Sequence, residues 1–135
     1  MKAVDSNILV RFLTGDDPRQ FRAAKALFER EEIWISRLVL LEADWVLRSV
    51  FSYTDDEVRE AFASVIGIPT THVEGGAAIQ EALRLVAEGL DFADALHLAY
   101  RPAGTVFVSF DEKLVRRAQR AGVPDVVLAG RTRLN

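Results

Sequence analysis

Short apolar runs alternate with longer segments of helical periodicity along this chain, and the alternation restricts its fold more than any other feature. Five runs rich in β-branched and aromatic residues are predicted as strands; they are residues 2–5, 33–36, 71–73, 105–109 and 125–128. Apolar residues at helical spacing predict helices near residues 6–14, 18–30, 37–51, 55–66, 76–88, 91–101 and 111–121. Because strands separated by helices need crossover connections, they pair in parallel. The sequence therefore predicts an α/β fold, a three-layer sandwich around a mostly parallel sheet of roughly five strands.

Local signals mark the ends of several of these helices. Thr54 followed by Glu57 is a capping box, and Pro18 suits the first turn of a helix. Asp91 has the short acceptor side chain that suits an N-cap. Gly67 and Gly122 each have a proline two residues later in the chain, a pattern that predicts helix ends just before the glycines.

Length and composition limit the kind of protein. With 135 residues, half of them hydrophobic, the chain is long enough for a single domain, expected over residues 1–135. The net charge of -3 argues against holding nucleic acid through overall charge, although it does not exclude a local basic patch. The sequence has no cysteine, so disulfides and thiolate zinc sites are excluded. The first apolar run is short and broken by charged residues, so we expect a cytoplasmic protein without membrane association.

Acidic residues stand near the predicted carboxyl ends of the strands, where open α/β sheets bind ligands. Asp5 closes the first strand and Asp111 follows the fourth, although each is equally well explained as a helix N-cap. Glu42 and Asp94 stand in otherwise apolar helices, where a buried carboxylate needs a partner or a metal. Four acids from four separate segments are therefore predicted to converge.

Converging carboxylates repel one another unless a cation enters or one of them takes up a proton. Hard oxygen ligands favour Mg²⁺, or Mn²⁺, over zinc and copper. Such an ion activates water and neutralises charge on a phosphate. The pattern therefore predicts phosphodiester hydrolysis, with these residues as catalytic groups and metal ligands: Asp5, Glu42, Asp94 and Asp111.

The segments that carry these acids resemble the PIN-domain ribonucleases, and in particular the VapC-type toxins of toxin–antitoxin pairs. The resemblance rests on DSN at residues 5–7, a Glu in the helix after the second strand, DFADALHLA at residues 91–99, and SFDEKL at residues 109–114. It implies a Mg²⁺-dependent endoribonuclease that acts on single-stranded or looped RNA. It also implies a homodimer and a cognate VapB-like antitoxin whose tail enters the groove of the active site.

The resemblance also assigns positions around the acids. Asn7 and Ser109 match places where the family often has small polar residues that steady the acids or a water. Asp91 matches an additional acid that part of the family has at this place. These three are expected to support the four acids.

A row of basic residues follows the last acid. Four of them recur at helical spacing and are candidates for contacts with the RNA backbone: Lys113, Arg116, Arg117 and Arg120. The alternative interpretation is an ordinary solvated helix face. Arg11, near the end of the first strand, is a weaker candidate for the same contact. His97, Trp34 and Trp45 are expected in the core, without a role in the site.

Other classes of protein are a poorer match. A haloacid-dehalogenase-type phosphatase needs a second Asp where this chain has Asn7, and a receiver domain needs an acidic pair at the end of the first strand. A PIN-like domain that binds RNA or protein without cleaving it stays open as the alternative function.

Overall fold

The computed structural model of the chain describes residues 1–130. It divides into two compact units, which we call the N-terminal unit, Met1–Gly76, and the C-terminal unit, Ala77–Asn135. The predicted single domain stays a prediction. None of the helices in the described part of the chain has the length and apolar character needed to cross a bilayer.

The N-terminal unit is built on a parallel sheet of three strands. Its strands are β1 (Lys2–Ala3), β2 (Ile33–Ile35) and β3 (Thr71–Val73), paired in the order β1-β2-β3. The connecting helices are α1 (Ser6–Thr14), α2 (Pro18–Arg30), α3 (Arg37–Ser49) and α4 (Asp55–Ile66). Ala3 is paired with Trp34, and Trp34 with His72, so β2 is the central strand.

The C-terminal unit begins with two helices that pack against each other and ends with a parallel pair of strands. The helices are α5 (Ala78–Ala87), α6 (Phe92–Ala99) and α7 (Glu112–Arg120). The strands are β4 (Phe107–Ser109) and β5 (Val126–Leu128), and α7 is the crossover between them. Leu114, Val115 and Ala118 form the buried face of α7.

The predicted fold class is confirmed, because every strand pair among residues 1–130 is parallel and helices connect the strands. The predicted helices and strands all occur, with bounds that shift by a few residues. The hydrogen-bond ladders group the five strands as three and two rather than as one sheet of about five. The strands are two or three residues long, so each makes only a short ladder; β3 has its predicted bounds, and the other four strands are shorter than predicted.

The predicted helix ends are confirmed where the signal lies within one turn. The Thr54 side chain accepts a hydrogen bond from the backbone of Glu57, whose carboxylate accepts one from the Thr54 backbone. Pro18 begins α2 after the N-cap Asp17, as its fixed φ predicts. These contacts join residues three apart, so the local sequence suffices to specify them.

The prediction that both tryptophans are buried is wrong. Ile33 and Ile35 point into the core from β2, so the intervening Trp34 points to the opposite face and is 36% exposed. Trp45 is 67% exposed because α3 buries a different face, formed by Leu40, Ala43, Asp44 and Leu47. A large apolar side chain is thus not a reliable guide to which face of an apolar helix is buried.

Candidate active site

Asp5 follows β1 and is the N-cap of α1. Its backbone is extended, and Oδ1 accepts a hydrogen bond of 3.0 Å from the backbone N–H of Ile8. Asp5 is exposed, and no residue of the described chain donates to its second oxygen, Oδ2. The cap therefore fixes the orientation of the carboxylate while it leaves one oxygen free for a ligand.

Asp111 has the same arrangement at the start of α7. Its Oδ1 accepts hydrogen bonds from the backbone N–H groups of Lys113, at 3.0 Å, and Leu114, at 3.1 Å. The backbone N–H of Asp111 donates to Oγ of Ser109 at 3.0 Å, which fixes the turn between β4 and α7. Ser109 therefore holds the backbone of the acid, a positioning role consistent with the one predicted for it.

Asp94 lies half-buried in the first turn of α6, close to two other acids of the C-terminal unit. Burial raises the pKa of its carboxyl group, and the charges of Asp91 and Asp111 raise it further, while His97 lowers it. The shift in pKa means that an ionised Asp94 is destabilised by its surroundings. A divalent cation at this place would favour the ionised form.

Asp91 is the N-cap residue of α6, but its side chain makes no capping hydrogen bond. The position of the cap is thus as predicted, whereas the expected capping contact is absent from the described residues. The Asp91 carboxylate is exposed and contributes charge to the surroundings of Asp94.

Glu42 is exposed on α3, so the expectation that it is a buried acid is wrong. The buried acid of this helix is Asp44, whose Oδ1 accepts a hydrogen bond from Arg48 Nε at 2.7 Å. The spacing of Leu40, Ala43 and Leu47 places residue 44, and not residue 42, on the buried face. Leu38, Leu41 and Trp45 give the side of Glu42 a similar apolar spacing, so the sequence alone does not separate the two acids.

His97 is also exposed, contrary to the predicted core position. It lies one turn after Asp94 on α6, with its ring centroid 6.1 Å from that of Phe107. The run ALHLAY is apolar on nearly every side, so the sequence does not show which side faces solvent.

The basic residues predicted to contact RNA differ in whether they already form ion pairs within the protein. The Arg11 guanidinium pairs with Asp16, through Nη1 at 2.6 Å, and donates to Gln20 from Nε at 2.7 Å. By contrast, no ion pair within residues 1–130 involves the four basic residues of α7, and all but Arg117 are exposed. They remain available to a polyanion, whereas Arg11 would have to exchange its partners.

Two clefts in the N-terminal unit are lined by Asn7, two residues after Asp5. The larger has a volume of about 410 Å³ and is bounded by α1 and by Val46, Val50 and Phe51 at the end of α3. The smaller, about 190 Å³, lies between α1 and α2. Sequence reasoning did not find the larger cleft, because its two walls are more than thirty residues apart in the chain.

Residues 2–120 match the family model of the PIN domain. This chain belongs to the PIN domain family. PIN domains are commonly nucleases, which supports a hydrolase activity at a coarse level and RNA binding in general. The comparison with curated proteins finds no match. The comparison with solved structures finds none either.

PIN domains typically use a divalent metal, and the chemistry of the acids in this one is suited to such an ion. Carboxylate oxygens are preferred ligands of Mg²⁺, and a cation would offset the unfavourable effect of burial and of the Asp91 and Asp111 charges on an ionised Asp94. Within residues 1–130, no group of three or more His, Asp or Glu side chains is close enough to hold a metal ion as it stands. The fit therefore rests on the donor atoms and their electrostatics.

Proposed function

We propose that this PIN domain is a Mg²⁺-dependent endoribonuclease and the toxin of a type II toxin–antitoxin system. The observation that carries the nuclease proposal is the state of Asp94. Its carboxylate is half-buried beside two further acids, and it accepts no hydrogen bond and forms no ion pair within the described part of the chain. An acid that served only the fold would have a cationic partner, as Asp44 has in Arg48.

The four acids predicted from the sequence are the proposed ligands of Mg²⁺, with Mn²⁺ as a substitute: Asp5, Glu42, Asp94 and Asp111. When bound, the metal supplies Lewis acidity for water activation and for neutralising charge on the phosphate. Asp5 and Asp111 are held by their capping hydrogen bonds, so little rotational freedom is lost when the free oxygen binds a ligand.

Three other polar residues support these ligands in the proposal. Ser109 fixes the backbone N–H of Asp111, and Asp91 adds negative charge beside Asp94. Asn7 lies on the exposed face at the start of α1, where its amide is available to a water or to the substrate.

The substrate is RNA in this proposal, held through its phosphates by basic residues: Arg11, Lys113, Arg116, Arg117 and Arg120. The free cations of α7 support this part, because phosphate binding by lysine and arginine supplies most of the affinity for a nucleic-acid backbone. Because the chain carries a net charge of -3, we expect the electrostatic attraction of RNA to be confined to this helix and its surroundings.

The toxin role, the homodimer and the VapB-like antitoxin rest on the resemblance of the acid-bearing segments to VapC-type toxins. An arginine from the antitoxin would pair bidentately with the carboxylates and thereby compete with the metal. Growth arrest on expression, relieved by a small protein encoded next to this one, is the expected result. Expression without any effect on growth would contradict the toxin role but not the nuclease activity.

The nuclease proposal is tested by Mg²⁺-dependent cleavage of mixed cellular RNA. The wild type should cleave and Asp5→Asn should not, because the substitution removes a ligand charge but almost no volume. Glu112→Gln is the matched control: it removes an exposed acid next to Asp111 and should cleave like the wild type. Equal cleavage by Asp5→Asn and wild type would contradict the proposal, and RNA binding without any cleavage by wild type would favour a non-cleaving PIN-like domain.

A further inference from the structure

Phe110 is the most exposed large hydrophobic side chain in the described residues, with 86% of its surface accessible. Exposure of a single apolar residue is common on protein surfaces and does not by itself indicate function. The place of Phe110 is more informative, because it lies between Ser109 at the end of β4 and the candidate metal ligand Asp111.

The backbone on both sides of Phe110 is fixed by hydrogen bonds. Ser109 accepts one at its carbonyl oxygen from Ala129 N–H, at 2.8 Å, and one at Oγ from Asp111 N–H, at 3.0 Å. Asp111 in turn caps α7. The aromatic ring therefore lies on a two-residue turn whose backbone is already fixed. A ligand that binds the ring causes little loss of conformational entropy in this loop.

Positive charge begins one turn further along the chain. Lys113, Arg116 and Arg120 are exposed on α7 and form no ion pair within residues 1–130. This short segment thus combines a flat apolar ring with a row of unpaired cations. An unpaired stretch of nucleic acid has the complementary features, since each nucleotide carries a flat base and a negative phosphate.

We propose that Phe110 stacks on one unpaired base of the RNA while the cations of α7 bind the adjacent phosphates. This inference rests on the proposed function, which makes RNA the substrate, and adds the residue that selects single strands. In a duplex both faces of a base are covered by its neighbours, so Phe110 has no surface to stack on. Phe110 takes part in binding and not in the chemical step.

The test is binding of a short single-stranded RNA of mixed sequence that contains a fluorescent purine analogue, with a chelator present to prevent turnover. Phe110→Ala should weaken binding roughly 5- to 150-fold, the range that corresponds to the loss of one base–aromatic stack. Phe110→Trp should bind like the wild type and quench the analogue, because it keeps the aromatic face. Phe110→Leu, which is apolar but cannot stack, should resemble Phe110→Ala.

Two controls separate stacking from other effects. Trp45→Ala removes the other strongly exposed aromatic side chain and should leave binding unchanged. A duplex RNA of the same sequence should bind wild type and Phe110→Ala equally. The inference is wrong if Trp45→Ala weakens RNA binding as much as Phe110→Ala does. It is also wrong if Phe110→Ala weakens the binding of duplex and of single-stranded RNA equally.

The result also distinguishes this inference from the proposed function. If wild type cleaves RNA but Phe110→Ala binds and cleaves equally well, the stacking proposal fails and the nuclease proposal stands. If Phe110→Ala weakens the binding of single-stranded RNA but the wild type does not cleave RNA, the stacking proposal stands and the nuclease proposal fails. If Phe110→Ala instead converts a dimer to a monomer with RNA binding unchanged, the ring contacts a second copy of the chain and the inference is wrong.

Discussion

In the N-terminal unit the buried carboxylate of Asp44 accepts a hydrogen bond from Arg48 at 2.7 Å, whereas in the C-terminal unit the charges of Asp91 and Asp111 act unfavourably on the half-buried carboxylate of Asp94. Both acids lie on helices rich in apolar residues, so local composition does not distinguish them. Their partners do. A buried acid with a cationic partner contributes to stability, while one crowded by like charges lowers stability and is suited to bind a cation.

The largest expected difference between the two acids is in activity. Asp94→Asn should lower Mg²⁺-dependent RNA cleavage by at least about 100-fold, the size of effect that follows loss of one electrostatic stabiliser of a transition state. Asp44→Asn should keep nearly the full activity per folded molecule. The assignment of Asp94 to activity and of Asp44 to the fold is wrong if both variants lose activity to the same extent. The assays are corrected for the folded fraction by circular dichroism.

The next effect is on stability and concerns Asp44. Asp44→Asn should lower the free energy of unfolding by about 1–3 kcal/mol, because it replaces the charged acceptor of the Arg48 hydrogen bond by a neutral one, and the ion pair of Arg48 with Asp55 does not restore that charge on α3. Urea denaturation measures this change. Asp56→Asn, an exposed acid in the first turn of α4, is the control and should change stability much less. A loss no larger than that of the control would show that the Asp44–Arg48 pair does not stabilise the unit.

Asp94→Asn should raise the free energy of unfolding, whereas Asp44→Asn lowers it, and the size of the increase should depend on pH. Because the folded-state pKa of Asp94 is raised, the ionised group destabilises the fold above that pKa, and the penalty disappears below the unfolded-state value of about 3.9. Asp94→Asn should therefore melt higher than wild type at neutral pH in a chelator, and no higher at strongly acid pH. Mg²⁺ should then stabilise wild type more than the variant. A variant that melts lower than wild type at neutral pH and gains equally from Mg²⁺ would place Asp94 outside a shared acidic site.

The smallest effect sharpens the comparison within the C-terminal unit. The hydrogen bond from Arg84 lowers the pKa of Glu81, so this exposed pair stabilises the fold above the unfolded-state pKa and loses that contribution as pH falls through the lowered value. Glu81→Gln should cost only about 0.2–0.5 kcal/mol at neutral pH and nothing in acid. In thermal melts at neutral pH, Glu81→Gln should therefore shift the melting temperature in the opposite direction to Asp94→Asn, and at strongly acid pH neither variant should shift it. If both variants shifted the melting temperature in the same direction at neutral pH, a cationic partner would not be what decides whether an acid stabilises the fold.

The local conformation of two candidate site residues is predictable from the sequence because capping is local. Asp5 and Asp111 were placed at the junction of a strand and a helix by the alternation of apolar runs, and the structure finds both as N-caps. The support that Ser109 gives Asp111 also acts across two residues. Their role as metal ligands stays a prediction, because a ligand set depends on segments far apart in the chain.

The sequence by itself determined the elements of this protein and their order, because hydrophobic periodicity, capping residues and prolines act within one or two turns. Tertiary structure decided which face of each apolar helix is buried. On α3 it buried Asp44 and exposed Glu42 and Trp45, and on α6 it exposed His97. The physical reason is that a helix apolar on several sides gains nearly the same free energy from burying any of them, so the shape of the neighbouring elements makes the choice.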